Sequence, residues 1–461
     1  MNRTDNFSKF HDLRKQFSYF SYDNFAWKIV KDKLEITYLF SLSGKYRFEP
    51  RIIIPYKPEI FRPLDSLSPS VMDCLVFHTG MIELISYWKA VCPAKLIIRP
   101  FNMTEAQVGF WKNVYYQGLG EFFYLNSIDV SPERFMTISV EETSFASPVF
   151  PEMKGGSLIP VGGGKDSAVT MGLLNRAGLN WLPMVINPGP TTRNVISATG
   201  KDPAVSVEIS REIHPELLRL NREGFLNGHT PFSALLAFYG LLAAYLTGRS
   251  EIVLSNESSA NEATVPGTSI NHQYSKSLSF EADFRDYVRQ FISEEFNYFS
   301  LLRPLSELQI AGLFSQMPQY HRHFRSCNAG SKTGSWCGKC PKCLFTFLIL
   351  SPFLSPDKLS AIFGRNLLDD PSLAEILEEL SGTRETKPFE CIGTTDEVNL
   401  ALELSAGMYE PGNLPWLIAK HIGQMGSNRP PAINFNAVMR NIDGDHFVPA
   451  KYMNLLKEAM Q

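Results

Sequence analysis

The segment Gly162-Gly163-Gly164-Lys165-Asp166-Ser167 contains the residue types that bind phosphate groups. It lies between an apolar run and a run of helical character, and a helix that starts there points its N–H groups and its dipole at an anion. The glycines let the backbone approach phosphate oxygens without an intervening Cβ. Lys165 adds positive charge, Ser167 offers a hydroxyl, and Asp166 could hold Mg²⁺ between phosphate oxygens. The segment therefore predicts a binding site for nucleotide phosphates and Mg²⁺.

The spacing of this loop differs from that of the Walker A loop, GxxxxGK[ST]. It also differs from the dinucleotide-binding fingerprint, GxGxxG. It resembles the SGGxDS loop of the N-type ATP pyrophosphatases (the PP-loop superfamily), with Gly162 where serine is more usual. The resemblance implies that the nucleotide is ATP, that it is cleaved between the α and β phosphates, and that the loop holds the departing pyrophosphate. The hydroxyl contact of the usual serine is missing at Gly162.

Four of the seven cysteines lie close together in the chain, and they are Cys327, Cys337, Cys340 and Cys343. Four thiolates can complete a tetrahedral shell around Zn²⁺ and leave no open position, so the predicted role of the metal is structural. An iron–sulfur cluster is the competing interpretation. Zinc is favoured because a similar cluster follows the loop in 7-cyano-7-deazaguanine synthases, where it binds zinc.

Three polar segments follow the phosphate loop, and they are 227–231 (NGHTP), 255–262 (SNESSANE) and 271–277 (NHQYSKS). The first opens a predicted helix, and the second follows a predicted strand at a position suited to substrate contacts. We predict substrate contacts from Asn256, Glu257, Asn271 and Lys276, because their side chains donate and accept hydrogen bonds and Lys276 could meet a carboxylate.

Six motifs together resemble the UDP-N-acetylmuramoyl-L-alanyl-L-glutamate epimerase family of peptidoglycan synthesis, and they are GGGKDS, NGHTPFSA, SNESSANE, NHQYSKS, CGKCPKC and PFECIGT. The resemblance extends over most of the chain. It implies an isomerase that inverts the terminal L-glutamate of a UDP-muramoyl dipeptide to D-glutamate. It further implies that ATP and Mg²⁺ are used and that AMP and pyrophosphate are released.

The proton-transfer group of such a reaction has three candidates. Cys391 lies in a polar, glycine-containing segment, whereas Cys74 and Cys92 lie in apolar surroundings and are predicted to be core residues. Thiols serve this role in cofactor-independent amino-acid racemases. His229 and His272 are equal alternatives, because imidazole also transfers protons near neutral pH.

The elements that must position these residues fall into three regions. An α+β domain over 1–150 is predicted from strand-like runs at 34–40, 51–55 and 95–99 and a helical stretch at 81–91. A PP-loop α/β domain with a central doubly wound parallel sheet is predicted over 151–325, from strands at 157–161, 182–188 and 251–257 and helices at 168–178 and 234–246. The zinc cluster and a helical region occupy 326–461, with helices at 344–354, 367–380 and 395–404.

The composition narrows the setting of the protein. The chain has 461 residues, 44% of them hydrophobic and 20% charged, as in globular proteins. A net charge of -3 gives no general attraction for nucleic acid, so no nucleic-acid partner is expected. The polar N-terminus and the interrupted apolar run 232–246 predict a cytoplasmic protein with no membrane span. The sequence does not indicate the oligomeric state of the protein.

Two other functions fit the same motifs. A nucleobase- or tRNA-modifying pyrophosphatase, such as a 7-cyano-7-deazaguanine synthase, would use the same loop and cysteine cluster on another carboxylate. A non-catalytic nucleotide-binding regulator would need the loop alone. The length of the chain disfavours the first alternative, and the retained Lys165, Asp166 and Ser167 disfavour the second.

Overall fold

The computed structural model describes residues 3–141, 148–265, 267–268, 270–330, 333–384, 387–410, 412–425 and 435–461. Two residues of the cysteine segment, Ser331 and Lys332, lie outside this part. The strands of the described chain are β1 Tyr19–Ile29, β2 Lys33–Leu42, β3 Tyr46–Phe48, β4 Arg51–Pro55, β5 Lys95–Ile98, β6 Thr137–Val140, β7 Ser157–Pro160, β8 Trp181–Ile186, β9 Val207–Glu212, β10 Glu251–Leu254 and β11 Asn297–Ser300.

Helices cover this sheet and form most of the C-terminal region. The α-helices of the described chain are α1 Phe7–Gln16, α2 Pro69–Trp88, α3 Glu105–Gly118, α4 Gly120–Leu125, α5 Pro132–Phe135, α6 Lys165–Arg176, α7 Pro190–Ser197, α8 Pro215–Arg222, α9 Phe232–Thr247, α10 Leu278–Phe291, α11 Glu307–Ser315, α12 Pro341–Leu350, α13 Pro356–Phe363, α14 Ala374–Leu380, α15 Thr395–Ala406, α16 Trp416–Met425, α17 Phe435–Arg440 and α18 Ala450–Ala459. The mixed α/β class predicted from the sequence is confirmed.

The strands form one mostly parallel sheet in the order β11-β10-β7-β8-β9-β4-β2-β1-β5-β6, with β3 beside β2. The five strands from β11 to β9 are parallel to one another. Strand β4 joins them to the N-terminal strands through antiparallel pairing with β9, in which Arg51 lies opposite Glu212. The first two predicted regions thus share one sheet, and a domain boundary at residue 150 stays a prediction.

Both faces of the five-stranded parallel part are covered by helices. Leu158 and Ile159 on β7 point to opposite faces, because side chains alternate along a strand. Leu158 packs in the core that contains α2, α9 and α10. Ile159 packs in the other core, with α6, α7, α11 and α12. From β7 the chain runs towards β8 on one side, and later returns as β10 on the other. A crevice is therefore expected at the carboxyl ends of β7 and β10.

Two predicted helices need correction. The stretch 367–380 is not one helix but two short 3₁₀ turns, Leu367–Asp369 and Pro371–Leu373, followed by α14. Pro371 has no N–H to continue a helix, and the Asp370 carboxylate instead accepts a hydrogen bond from Ser372 N at 3.0 Å. The helix after the phosphate loop begins at Lys165 rather than at residue 168, so Asp166 and Ser167 lie in its first turn.

The apolar run near residue 240 belongs to α9, which is buried between the sheet and α2. Within the described residues, no helix combines the length and the hydropathy needed to cross a membrane. Cys74 and Cys92 are both buried in the core, as predicted.

Candidate active site

A cavity of about 490 Å³ lies beyond the carboxyl ends of β7 and β10. Most of the residues predicted to act in catalysis or binding line it, and these are Gly162, Gly164, Lys165, Asp166, Ser167, His229, Asn256, His272, Lys276 and Cys391. They come from segments far apart in the chain. The fold therefore brings the phosphate loop and all three proton-transfer candidates into one cavity.

The backbone of the phosphate loop requires glycine at one position in particular. Gly163 has φ +85°, and a Cβ there would lie 2.8 Å from Thr191 Cγ2. Gly164 is the N-cap of the twelve-residue helix α6, so the free N–H groups of the first turn point towards the cavity mouth. At Gly162 a Cβ would meet no atom within 4 Å, so a serine side chain would fit there. The loop has the geometry of an anion site at a helix N-terminus.

Lys165 is held beneath the loop by two carboxylates. Its ammonium group contacts Asp166 and Glu307, and the side chains of Lys165 and Glu307 are almost fully buried. Burial would lower the pKa of Lys165, but the two carboxylates raise it above its ordinary value, so the lysine stays charged. Ser167 Oγ donates to Gly164 O at 3.1 Å. The first turn of α6 therefore presents one ammonium, one carboxylate and one hydroxyl.

Cys391, His272 and Glu121 lie together at one side of the cavity. His272 Nδ1 lies 2.5 Å from Glu121 Oε2, and His272 is one of the groups that lower the pKa of the Cys391 thiol. Burial would raise the pKa of Cys391, but two lysines and His272 lower it to about 6; the lysines are Lys276 and Lys342. Burial would lower the pKa of His272, but Cys391 and Glu121 raise it to about 9. Both shifts favour the thiolate and the imidazolium over the neutral pair.

His229 completes this group. Its Nδ1 lies 3.3 Å from Glu121 Oε2, and its ring centroid lies 4.6 Å from that of His272. Burial, together with the positive charge of His272, lowers the pKa of His229 to about 4, so this imidazole is neutral. The ligand atoms of Glu121, His229 and His272 lie within 4.8 Å of one another. The direct hydrogen bond between His272 and Glu121 is shorter than the separation of two ligands about one ion, so the geometry favours hydrogen bonding over metal binding.

The predicted substrate residues occupy different positions. Asn256 lines the cavity, and its Nδ2 donates to Ser300 Oγ at 2.9 Å. Lys276 also lines it, and burial would lower its pKa, but Cys391 and two carboxylates raise it. Glu257 is buried behind the cavity wall with no hydrogen-bond partner for Oε2. Asn271 turns away, because its Nδ2 donates to Ala260 O and its Oδ1 accepts from the backbone. Asn256 and Lys276 can thus reach a ligand directly.

The four clustered cysteines meet at the N-terminus of α12. The Sγ–Sγ distances are 3.5 Å for Cys340 and Cys343, 3.6 Å for Cys337 and Cys343, and 3.7 Å for Cys327 and Cys340. Four thiolates at 2.3 Å from one tetrahedral ion lie about 3.8 Å apart, which these separations approach. The cluster could therefore hold a single metal ion with no open position.

The cysteine cluster also supports the cavity. Arg325 N, two residues before the first cluster cysteine, donates to Gly163 O at 2.9 Å in the phosphate loop. Lys342, between two cluster cysteines, lies 3.5 Å from the Glu390 carboxylate, next to Cys391. A folded cluster therefore fixes both the loop and the segment that carries Cys391.

Two family models match this chain, one in its N-terminal part and one in its C-terminal part. Residues 11–301 match the family model described as the MurL N-terminal domain, and residues 322–419 match the MurL C-terminal domain. The chain belongs to the MurL family. The first matched region of this MurL chain includes Glu121, the phosphate loop and both histidines, and the second includes the cysteine cluster and Cys391.

Three curated relatives support this assignment. Each is named UDP-N-acetyl-alpha-D-muramoyl-L-alanyl-L-glutamate epimerase. The protein from Xanthomonas oryzae pv. oryzae (strain MAFF 311018) is 35% identical over 80% of this chain and 82% of its own length. The one from Micromonospora sp. (strain ATCC 39149 / NRRL 15099 / SCC 1413) is 35% identical over 79% of this chain and 81% of its own. The protein from Salinispora tropica is 37% identical over 78% of this chain and 79% of its own length.

Sequence reasoning missed several residues of this MurL site. Glu121 lies on α4 in a region where no motif pointed to chemistry, and Glu307 begins α11 after an ordinary capping box. Lys342 lies among the cluster cysteines and gave no separate signal. The sequence position of Glu307 could have indicated a functional role, since active-site carboxylates often lie at the start of a helix that follows a strand. Glu121 had none, because only the fold brings it to His272.

Proposed function

We propose that this chain is an ATP-dependent epimerase that converts the terminal L-glutamate of UDP-N-acetylmuramoyl-L-alanyl-L-glutamate to D-glutamate. The reaction passes through an acyl-adenylate and yields AMP and pyrophosphate, and it belongs to peptidoglycan precursor synthesis in the cytoplasm. One observation carries the proposal: a single cavity contains a glycine-rich loop at a helix N-terminus together with Cys391 and His272. The names of the relatives supply the substrate.

Adenylation would explain why the phosphate loop and a proton-transfer group lie in the same cavity. The α-proton beside an ionised carboxylate is very weakly acidic, because its removal places a second negative charge next to the first. As a mixed anhydride with AMP, the carbonyl becomes electron-poor and the enolate is stabilised. A side-chain base of ordinary strength can then remove the proton. Water attack on the inverted anhydride releases the product.

The residues around the loop fit ATP and Mg²⁺. The backbone N–H groups of 162–164 and of the first turn of α6 would hold the β and γ phosphates that leave as pyrophosphate. Lys165 would offset their charge, and Ser167 would donate a hydrogen bond once it turns from Gly164 O. Asp166 is the half-exposed carboxylate of this turn and would hold Mg²⁺, whose chemistry is to neutralise charge on the phosphate oxygens.

Cys391 is our first choice for the group that removes the α-proton. Its thiolate exists at neutral pH and lies in the same cavity as the loop. Inversion also requires that a proton return to the opposite face of the α-carbon, and its donor must be a group other than His272, because His272 lies beside Cys391 on the same side. His229 is neutral and is the alternative base. Lys276 and Asn256 are the side chains best placed to hold the substrate's charged and polar groups.

The ion in the cysteine cluster is proposed to be one structural Zn²⁺. The sulfur separations suit a single tetrahedral ion, whereas an iron–sulfur cluster places several iron atoms between its thiolates and separates them further. With four thiolate ligands the ion has no open position, so it takes no part in the reaction.

The central experiment is incubation of the protein with ATP, Mg²⁺ and the UDP-muramoyl dipeptide ending in L-glutamate, followed by chiral analysis of the glutamate. We expect D-glutamate with AMP and pyrophosphate. AMP formation only with a deazapurine carboxylate would favour the nucleobase-modifying alternative. Binding of ATP with no turnover of any carboxylate would favour the regulator. Either result would overturn the proposal.

A second experiment separates the two halves of the reaction. In deuterated water, exchange of the glutamate α-proton should require ATP, and an analogue that cannot be cleaved between the α and β phosphates should not support it. Cys391→Ala should still release AMP and pyrophosphate but invert nothing, whereas Cys74→Ala, a change at a buried core thiol, should invert normally. Exchange without any nucleotide would rule out the adenylate.

A further inference from the structure

In the part of the chain that the structure describes, two cysteine–histidine pairs have different surroundings, and their pKa values are shifted in opposite directions. In α2, Cys74 Sγ lies 3.7 Å from His78 Nδ1. Burial raises the pKa of Cys74 to about 12 and lowers that of His78 to about 4, so both groups are neutral. The other ring nitrogen of His78 meets the Tyr287 hydroxyl at 3.0 Å rather than a carboxylate. The Cys391–His272 pair is also desolvated, yet it is ionised. Its charged neighbours make the difference.

Glu121 is the charged neighbour that acts on the histidine. Its side chain is 5% exposed, and its Oε2 is shared by Nδ1 of His272 at 2.5 Å and Nδ1 of His229 at 3.3 Å. Because His272 Nδ1 contacts this carboxylate, only the other ring nitrogen of His272 remains for a second partner. The carboxylate thus fixes the orientation of one ring and restrains the other.

The remaining charged groups around the pair act on the thiol or on Glu121. Lys276 and Lys342 lower the pKa of Cys391, and the neutral His229 packs against His272. Lys89 faces Glu121, and its pKa is lowered to about 8 by burial and by Arg211. Two groups raise the pKa of His272, and they are the Cys391 thiol and the Glu121 carboxylate.

We propose that Glu121 is the positioning residue of the epimerisation: it orients His272 towards Cys391 and keeps the pair in its ionised form, ready to exchange a proton with the substrate. The proposal rests on the proposed function for the reaction that this pair serves. The N-terminal part of the chain thereby contributes directly to catalysis through α4. The arrangement follows the logic by which a buried carboxylate orients a catalytic histidine.

The test compares wild type with Glu121→Gln and Glu121→Asp. Iodoacetamide alkylation of Cys391 is followed by mass spectrometry from pH 5 to 9, and inversion and AMP release are followed over the same range. Glutamine keeps a hydrogen-bond acceptor but removes the charge. We expect it to raise the midpoint of alkylation by about one pH unit, which by itself about halves the thiolate fraction at pH 7. Inversion at pH 7 should slow about tenfold or more, because the His272 ring also loses the charged partner that holds it in place. AMP release should stay within about threefold, since adenylation does not use the pair. Glu121→Asp keeps the carboxylate, so its midpoint and its rate of inversion should lie between those of Glu121→Gln and wild type.

Glu390→Gln is the matched control, because Glu390 is a partly buried carboxylate next to Cys391 that pairs with Lys342 and not with His272. It should not raise the midpoint. An unchanged midpoint and unchanged pH dependence of inversion in Glu121→Gln would overturn the proposal. The proposal would also be overturned if wild type bound a second metal ion, besides that of the cysteine cluster, and Glu121→Gln did not bind it.

Two outcomes keep this proposal separate from the proposed function. If wild type inverts no glutamate, the proposed function fails, but the alkylation midpoints still test the effect of Glu121 on the pair. If Glu121→Gln does not fold, the alkylation midpoint of Cys391 in wild type becomes the test. A midpoint equal to that of an ordinary thiol would show that the pair is not ionised, and the proposal would fail.

Discussion

Lys276→Met is the variant that tests most directly why Cys391 is ionised. Lys276 lines the same cavity as Cys391, and its charge is the first among those that lower the pKa of the Cys391 thiol. A thiol of pKa about 6 is about 90% ionised at pH 7, whereas an ordinary thiol near 8.5 is about 3% ionised. Removal of this lysine should therefore move Cys391 from mostly thiolate towards mostly thiol.

The size of the effect can be bounded. Two unit charges 4 Å apart at an effective dielectric constant of 20 interact by about 4 kcal/mol, which corresponds to about three pKa units. Since Lys342 and His272 remain, we expect a rise of about one to two units. The thiolate fraction at pH 7 would then lie between about one half and one tenth, and the acidic limb of the inversion profile would move to higher pH by the same amount.

The assay is alkylation of Cys391 without substrate, because Lys276 is also a predicted substrate contact and the rate of inversion alone would mix the two roles. Lys276→Arg keeps the charge and should keep the midpoint near that of wild type. The direction of the change follows from the charge: a thiol that loses a positive neighbour holds its proton to higher pH. Equal midpoints in wild type and Lys276→Met would refute the electrostatic explanation.

Three further results are expected. Asp166→Asn or Ser167→Ala should reduce AMP and pyrophosphate formation at least about a hundredfold with the fold intact by circular dichroism, and full activity in both variants would contradict the role of the loop. Gly163→Ala should impair ATP use because its Cβ would lie 2.8 Å from Thr191 at a positive φ, whereas Gly162→Ser has open space and should be tolerated; equal effects would contradict the loop geometry. Metal analysis should give about one zinc per chain, and Cys340→Ser should lose it and lower the melting temperature; iron with acid-labile sulfide would overturn the zinc assignment.

The parts that the sequence made predictable are local. The phosphate loop consists of consecutive residues, so their order alone places Lys165 and Ser167 in the turn that follows a strand. The cysteine cluster is similar, since Cys337, Cys340 and Cys343 lie within one turn and the start of α12. Six strands, β2, β4, β5, β7, β8 and β10, were predictable from local apolar runs and β-branched residues, whereas β1, β3, β6, β9 and β11 were not predicted.

The contacts that complete the site are not local. Glu121 and His272 are 151 residues apart, and Lys165 and Glu307 are 142 apart. No periodicity or spacing links such residues, because the sheet order that brings them together is set by packing over the whole chain. The error in the helix predicted over 367–380 has a local cause instead, because the apolar pattern was interpreted without the effect of Pro371 on the backbone.

The cysteine cluster connects the two halves of the proposed reaction. Its segment holds the phosphate loop through the hydrogen bond from Arg325 to Gly163, and it holds the Cys391 segment through Lys342 and Glu390. Because a structural metal stabilises the folded arrangement of its ligands, its loss should loosen both contacts together. Metal removal and Cys391→Ala are therefore distinct perturbations. The first should weaken adenylation and inversion in parallel, whereas the second should abolish inversion and leave the cleavage of ATP in place.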